Sequence, residues 1–391
     1  MNNIISLDSE YIAHTYNRFP IEIEHGEGSL IFDTDGKRYI DMGSGIGVTS
    51  FGIADPEWVA AVTAQLTRVQ HTSNLYYTEP CARLAEMLCE KCGMERVFFS
   101  NSGAEANECA IKTARRWGEE TLGREYSVIV TLKNSFHGRT VTTLSATGQD
   151  HYHEHFGPMT PGFVYVDAGD ADGLRRALGK HPCCAVMIEC IQGEGGVIPL
   201  DADFARAVGE AVRESGVLLI VDEVQTGNGR TGRYFSYMNY GLNPDIITTA
   251  KGLGGGLPIG ATVMGHRVAD TLRPGDHGST YGGNPVCCAG SISIVSRIDD
   301  TLTANVRRKG EYIKNVLTGT PGITDISGMG LMLGIKTSAP APEIVAECIS
   351  RGVLCLTAKD RVRLLPALNI PDDLLSEAVE TIRAVCAEKS K

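Results

Sequence analysis

The chain has 391 residues, of which 42% are apolar and 21% charged, and a formal net charge of −11, a composition typical of a folded globular protein. The acidic balance argues against a nucleic-acid partner, and no segment reaches the ~20 apolar residues that span a membrane. The start lacks the features of a secretory leader and the twelve cysteines are irregularly spaced, so we expect a cytoplasmic protein with reduced thiols and no membrane partner.

Short β-branched or aromatic runs alternate with longer helical stretches between about residues 95 and 290. Helical patterns over residues 104–117 and 201–215 separate some of these runs, and the alternation predicts an α/β fold with a mostly parallel sheet covered by helices. Six runs are predicted as strands: 96–100, 126–132, 163–167, 184–190, 217–223 and 245–250.

A chain of this length exceeds what one hydrophobic core usually serves, so we expect two lobes. The sequence predicts a large domain over residues 61–290 and a smaller α/β domain over residues 291–391, to which the N-terminal segment 1–60 contributes. Amphipathic helices support the smaller domain, as do short strand patterns near its end, at residues 331–337, 353–356 and 362–366.

One lysine, Lys251, follows a predicted buried strand and precedes a cluster of glycines, which fill four of the next five positions. Ligands bind at the carboxyl ends of parallel strands, and a desolvated lysine there has a lowered pKa. Its free amine can attack a carbonyl as a Schiff-base nucleophile. The alternative interpretation is a solvated surface lysine. A P-loop is excluded, because its lysine follows the glycines rather than preceding them.

Two further segments predict polar groups at strand ends. Asp222 and Glu223 complete a buried strand, where a carboxylate needs a cationic partner. One interpretation is that the partner is a protonated pyridine nitrogen. The other is that the carboxylate pairs with Arg230 or caps the next turn. The spacing of Ser102 and Glu105 is that of a capping box, so a helix begins there, and its free N–H groups also suit a phosphate.

With these features in one chain, the sequence resembles the class III (fold type I) aminotransferases that depend on pyridoxal 5′-phosphate (PLP), and most of all the acetylornithine aminotransferases. The resemblance runs from about residue 18 to residue 387. It implies a seven-stranded, mostly parallel sheet between helices, with a smaller α/β domain attached. The motifs that carry it are GEGSLIFDTDGKRYID, HTSNLYYTEP, FFSNSGAEANE, SFHGRT, IQGEGGVIP, DEVQTGNGRTG, AKGLGGG and HGSTYGGNP.

The resemblance implies cofactor roles at matching positions. Lys251 bonds covalently to PLP and later moves the substrate proton, Asp222 holds the pyridine N–H, and Phe136 stacks on the ring. Thr280 reaches the cofactor of the neighbouring subunit, which implies a homodimer with shared active sites. The remaining expected cofactor contacts are Ser102, Gly103, Ala104, Glu223, Val224 and Gln225. No metal is expected.

Substrate roles follow from the same resemblance. Arg139 matches the residue that clamps a carboxylate of the amino donor, and Arg363 the one that takes the α-carboxylate of 2-oxoglutarate. Glu194 is similar to the gating glutamate that pairs with Arg363 while the donor is bound. Ser279 lies beside Thr280, near the substrate. The implied reaction transfers the δ-amino group of N2-acetyl-L-ornithine to 2-oxoglutarate in two half-reactions, a step of arginine biosynthesis.

Ile46 bears on the choice of donor. Ornithine aminotransferases resemble one another in carrying a tyrosine there, which contacts the α-amino group of free ornithine. An apolar residue cannot satisfy an ammonium group, so an acylated α-nitrogen matches better. Free ornithine, N-succinylornithine, succinyl-diaminopimelate and 4-aminobutyrate stay open as donors, as does, more remotely, a binding protein without catalysis. Cys190 departs from the family, which usually has proline at this position.

Overall fold

The structure, a computed structural model, describes residues 4–390. Its largest sheet has seven strands in the order β1-β7-β6-β5-β4-β2-β3, and β7 alone runs antiparallel to its neighbours. The α/β fold is confirmed, and the six predicted strands are present with small shifts at their ends. The strands are β1 Arg96–Ser100, β2 Val128–Leu132, β3 Phe163–Val166, β4 Cys183–Ile188, β5 Leu218–Asp222, β6 Ile246–Thr249 and β7 Gly260–Met264.

The central strands β4 and β5 are almost entirely apolar because helices cover both faces of the sheet. Every residue of β4 and β5 is buried. Asp201 caps one covering helix by accepting the N–H of Phe204 at 3.2 Å, and Gly216, with φ 73°, ends it. The α-helices of four residues or more are Ile4–Tyr11, Ser44–Gly47, Pro56–Leu66, Glu79–Cys92, Gly103–Thr121, Val141–Ala146, Ala171–Lys180, Ala202–Ser215, Pro285–Val295, Asp300–Leu317, Ala341–Ser350 and Asp372–Glu388.

A second apolar cluster joins the two ends of the chain. Tyr39, Ile40 and Met42 pack in it with side chains from Val306 to Cys386. Strand Arg38–Asp41 also pairs in parallel with Val353–Leu354. These contacts support the expected division into residues 1–60, 61–290 and 291–391, which stays a prediction. The smaller sheets contain Ile23–Glu27, Leu30–Asp33, Arg38–Asp41 and Val353–Leu354; Ile323–Met329, Met332–Thr337, Arg361–Leu364 and Leu356–Ala358; and Ile191–Gln192 and Ile198–Pro199.

The carboxyl edge of the large sheet gathers polar side chains from distant parts of the chain. Asp222 is the last residue of β5, Glu189 follows β4 directly, and Lys251 lies two residues after β6. Because the strands that carry them are neighbours in the sheet, these side chains emerge together.

Within residues 4–390, no helix combines the length and the apolar character needed to cross a bilayer.

Candidate active site

A cavity of about 480 Å³ opens at this edge, and both Lys251 and Asp222 line it. Apolar residues of the segment that follows Lys251 form one side, and the start of helix Gly103–Thr121 forms another. The lining comprises Val48, Asn101, Ser102, Gly103, Ala104, Asn107, Phe136, His137, Gly138, Arg139, Glu189, Asp222, Val224, Gln225, Ala250, Lys251, Gly256, Leu257, Pro258 and Ile259.

Lys251 has the properties of a nucleophilic amine. Its backbone lies in the left-handed region, with φ 46°, at the start of a short 3-10 turn. Burial lowers the pKa of Lys251 and the charge of Arg363 adds to this, against the opposing carboxylates of Glu194, Asp222 and Glu189. No hydrogen bond or ion pair within the described part of the chain occupies its Nζ. The amine is therefore available to a carbonyl in the cavity.

Asp222 is buried and fixed by three donors. Its Oδ2 accepts from Asn107 Nδ2 and from His137 Nδ1, both at 2.8 Å, and its Oδ1 accepts the N–H of Val224 at 3.0 Å. Thr248 orients the Asn107 amide by donating to its Oδ1 at 2.7 Å. Burial lowers the pKa of His137, but the hydrogen bond and charge of Asp222 outweigh burial and raise it overall. These contacts keep a carboxylate at the cavity wall.

The start of helix Gly103–Thr121 forms a second polar wall. Ser102 caps the helix, since its Oγ accepts the N–H of Glu105 at 3.2 Å. The next residues, Gly103 and Ala104, line the cavity, and N–H groups in the first turn of a helix lack intrahelical acceptors. A Cβ on Gly103 would lie 2.6 Å from Val224, so only glycine fits between this turn and the strand end that carries Asp222. The arrangement suits an anion.

Phe136 and Arg139 face the same cavity from the loop after β2. The Arg139 guanidinium lies 5.6 Å from the centre of the Phe136 ring and 5.1 Å from that of Tyr152. The two rings meet edge to face at 5.5 Å. No carboxylate pairs with Arg139 within the described residues, so its positive charge is held at the cavity by aromatic faces and is free for a ligand.

Glu194, Gln225 and Arg363 form a hydrogen-bonded group beside the cavity. Arg363 Nη1 donates to Glu194 Oε1 at 2.5 Å and to Gln225 Oε1 at 3.2 Å, and Gln225 Nε2 donates to Glu194 Oε1 at 3.2 Å. Burial raises the pKa of Glu194, but the charge and hydrogen bond of Arg363 outweigh it and lower the pKa overall. In this state the positive charge of Arg363 is neutralised.

Besides Glu194 and Arg363, which lie beside the cavity, four expected site residues do not line it: Glu223, Ile46, Ser279 and Thr280. The carboxylate of Glu223 accepts from Thr226, Ser236 and the N–H of Tyr237, so its hydrogen bonds are made inside the protein. Ile46 lies in a left-handed turn with φ 66° and is 40% exposed.

Ser279 and Thr280 line a separate surface cavity, although Ser279 Oγ also accepts from Asn101, which lines the first one. Their contacts with ligand, like those of Lys251 and Asp222, stay predictions.

Three polar groups around Asp222 line the cavity although no role was predicted for them. Asn107 and His137 bind Asp222, and Glu189 is a second buried carboxylate beside it. His137 stands inside the SFHGRT motif, and Glu189 directly follows β4, so the sequence position of each indicates a place in the site. Asn107 stands inside the FFSNSGAEANE motif, but its place within an amphipathic helix did not indicate that it contacts Asp222.

The residues present fit PLP. The cavity offers an unpaired amine at Lys251 for the aldehyde, a fixed carboxylate at Asp222 for the ring nitrogen, and a helix start for the phosphate. An aromatic side chain, Phe136, lines the same cavity. The amine, the carboxylate and the helix start therefore suit the aldehyde, the ring nitrogen and the phosphate of PLP.

Comparisons with known proteins agree with this chemistry. Residues 11–386 match the family described as Aminotransferase class-III. Acetylornithine aminotransferase from Haemophilus ducreyi is 47% identical to this chain, with 99% of each protein covered.

Two solved structures are similar. Ornithine aminotransferase from Toxoplasma gondii has a TM-score of 0.95 at 31% identity, covering 99% of this chain and 96% of that one. N-acetylornithine aminotransferase from Stenotrophomonas maltophilia has a TM-score of 0.85 at 35% identity, covering 98% and 99%. The family match spans nearly all of the chain, and the side chains of the cavity suit the functional groups of PLP. The chain therefore belongs to the class-III aminotransferases, enzymes that depend on pyridoxal 5′-phosphate.

Proposed function

We propose that this enzyme transfers the δ-amino group of N2-acetyl-L-ornithine to 2-oxoglutarate, giving N-acetylglutamate 5-semialdehyde and glutamate, a step of arginine biosynthesis. One observation carries the proposal: the cavity of Lys251 and Asp222 has an unpaired arginine, Arg139, and beside it a second arginine covered by Glu194. The name shared by the curated relatives supports the same substrate.

The donor half-reaction needs one cationic group. N2-acetyl-L-ornithine has a single carboxylate, and Arg139 is placed to grip it with a planar guanidinium. The second arginine, Arg363, is neutralised by Glu194 in this state. The cavity therefore offers one positive charge to a substrate with one negative charge.

The acceptor half-reaction needs two cationic groups. 2-Oxoglutarate has a carboxylate at each end, so it can engage Arg139 and Arg363 together once Glu194 moves aside. Gln225 contacts both partners of that ion pair and follows Val224, a residue of the cavity wall. One site then accepts two substrates of different charge.

The side chains divide the chemistry. PLP, when bound, supplies an electron sink for the substrate carbon that bears the reacting nitrogen. Lys251 Nζ would take the proton from that carbon and pass it to the cofactor, a role that its lowered pKa favours. Asp222 would accept the hydrogen bond of the ring N–H, and Phe136 would lie against the ring.

The apolar part of the cavity favours an acylated donor. The side chains of Val48, Leu257 and Pro258 line it and offer neither a negative charge nor a hydrogen-bond acceptor to an α-ammonium group. Ile46, two residues before Val48, adds another apolar side chain to the same turn. The methyl of an N-acetyl group packs against such a surface, and its neutral amide loses less hydration free energy there than the charged amine of free ornithine.

A panel of donors tests this proposal. The kcat/KM should be highest for N2-acetyl-L-ornithine among free ornithine, N-succinylornithine, succinyl-diaminopimelate and 4-aminobutyrate, and Ile46→Tyr should shift the preference toward free ornithine. A clear preference of the wild-type enzyme for free ornithine would contradict the substrate. Failure of every donor to react would contradict the function itself.

The active unit in this proposal is a homodimer with shared sites. Leu75, Tyr76, Tyr77 and Tyr281 are large apolar side chains that the isolated chain leaves exposed, near the surface cavity of Thr280. Twelve free thiols also fit the proposed cytoplasmic location.

Subunit mixing tests the shared site. Homodimers of Lys251→Ala and of Thr280→Glu should each be inactive, and hybrids should recover activity because one site then has both intact residues. Hybrids without activity, or a monomer in sedimentation at full activity, would contradict a site built from two subunits.

A further inference from the structure

Glu189 is a buried carboxylate at the cavity wall that none of the proposed steps uses. It follows β4, is 5% exposed and lines the cavity. Its Oε2 accepts the N–H of Phe136 at 2.9 Å, and its Oε1 accepts the N–H of Gly193 at 3.3 Å. Each oxygen therefore holds the backbone of a different segment.

The two segments carry different parts of the site. Phe136 leads to Arg139, and Gly193 precedes Glu194. Gly193 is also closely packed, because a Cβ at this position would lie 2.7 Å from the side chain of Gln225. A movement of Gly193 thus displaces Gln225, which is hydrogen-bonded to both members of the ion pair.

Glu189 and Asp222 are neighbours with different surroundings. Ile188 pairs with Val221 in the sheet, so the two carboxylates follow adjacent strand ends. Asp222 accepts from the side chains of Asn107 and His137, whereas Glu189 accepts from backbone N–H groups. A carboxylate that binds only fixed backbone donors holds loops in place, and its charge stays available to the cavity.

We propose that Glu189 is a positioning residue, which fixes the Phe136 segment against the Gly193 turn and places its negative charge beside Lys251. This inference rests on the proposed function. In this role, Glu189 sets the distance between the segment that carries Arg139 and the turn that carries Glu194, the partner of Arg363.

The charge of Glu189 gives the role a spectroscopic signature. A negative charge near Nζ of Lys251 favours the protonated form of that nitrogen, together with Asp222 and Glu194 and against Arg363. The groups that face Glu189 itself are His137 and Asp222. Removal of its charge should therefore move the pH midpoint of the visible absorbance of the PLP-loaded enzyme to lower pH.

The test compares Glu189→Gln with Glu189→Asp. The glutamine has one acceptor oxygen and turns its NH2 toward the other backbone donor, so it loses both a bond and the charge. We expect its dissociation constants for both substrates to rise about tenfold, with the absorbance midpoint lowered and weaker PLP binding by the apoenzyme. The aspartate keeps the charge but is one methylene shorter, so the substrates should bind more weakly with the midpoint unchanged.

Asp245→Asn is the matched control. Asp245 is a carboxylate just before β6, away from the carboxyl edge, and it accepts the N–H of Leu219 at 2.9 Å. This variant should lose stability toward urea without a change in midpoint or substrate binding. If Glu189→Gln behaves like Asp245→Asn, the inference is wrong. If the wild-type enzyme reacts with neither substrate, the proposed function is what fails.

Discussion

Replacement of Glu194 by glutamine should tighten the binding of 2-oxoglutarate. The side chain of Arg363 is 4% exposed, that of Glu194 25% exposed, and their bond measures 2.5 Å, so 2-oxoglutarate must break a largely buried charged contact to reach the arginine. Glutamine keeps an acceptor oxygen for Arg363 but not the charge. The variant therefore weakens the contact that competes with 2-oxoglutarate for Arg363 and leaves the shape of the site unchanged.

The size of the effect follows from the type of hydrogen bond. A bond to a charged group contributes about 1.5–3 kcal/mol and a neutral one about 0.5–1.5 kcal/mol, so the change lowers the displacement cost by roughly 1–1.5 kcal/mol. Since about 1.4 kcal/mol is a tenfold change in an equilibrium constant, the dissociation constant of 2-oxoglutarate should fall about tenfold.

Single-turnover kinetics measure this constant. Enzyme that has reacted with the donor and been freed of its excess is mixed with increasing 2-oxoglutarate, and the rate is followed by absorbance. Glu347→Gln serves as control, because it removes the same charge from a surface pair with Arg351. A dissociation constant for Glu194→Gln that equals or exceeds that of the wild type would refute the gating role.

Three further predictions concern other parts of the site. In Asp222→Asn, an NH2 group replaces the oxygen that accepts from Asn107 and His137. The PLP affinity of the apoenzyme should fall roughly 100-fold in fluorescence titrations, and an unchanged affinity contradicts the assignment. Arg139→Lys cannot grip a carboxylate in two places, so the donor KM should rise about tenfold in steady-state assays, and an unchanged KM argues against the clamp. Burial raises the pKa of Glu189 to about 7 from an ordinary 4.5, so the folded protein holds this carboxyl protonated below about pH 7 and negatively charged above it. The unfolding free energy of the wild-type apoenzyme should therefore fall between pH 4.5 and 7 in urea titrations, relative to Glu189→Gln, and parallel pH profiles would contradict this.

Much of the large sheet could be predicted because buried parallel strands are continuous apolar runs. The runs that became β4 and β5 are of this kind. The strand β7 was not identified, because its sequence, GATVM, begins with small residues and directly follows the glycine-rich segment. Its antiparallel direction depends on tertiary pairing with β1 and β6, which no local pattern encodes.

The site was predictable in its parts and less so in its geometry. Residues at predicted strand ends, such as Asp222 and Lys251, do lie at one cavity, since the topology of parallel strands fixes that edge. The support of Asp222 by Asn107 and His137 depends on segments up to 115 residues apart, which only the folded chain brings together. The left-handed turn at Ile46 was also unforeseen, because a β-branched residue rarely adopts φ 66°.

The proposed function depends above all on Lys251, as the amine that binds PLP and moves the substrate proton. The most direct measurement is the visible spectrum of the reconstituted enzyme before and after N2-acetyl-L-ornithine is added, for the wild type and Lys251→Ala. We expect a coloured wild-type enzyme whose spectrum the donor changes, and a variant that lacks both the absorbance of the lysine-bound cofactor and turnover. A variant that keeps normal activity, or a wild-type protein that stays colourless with PLP, would contradict it.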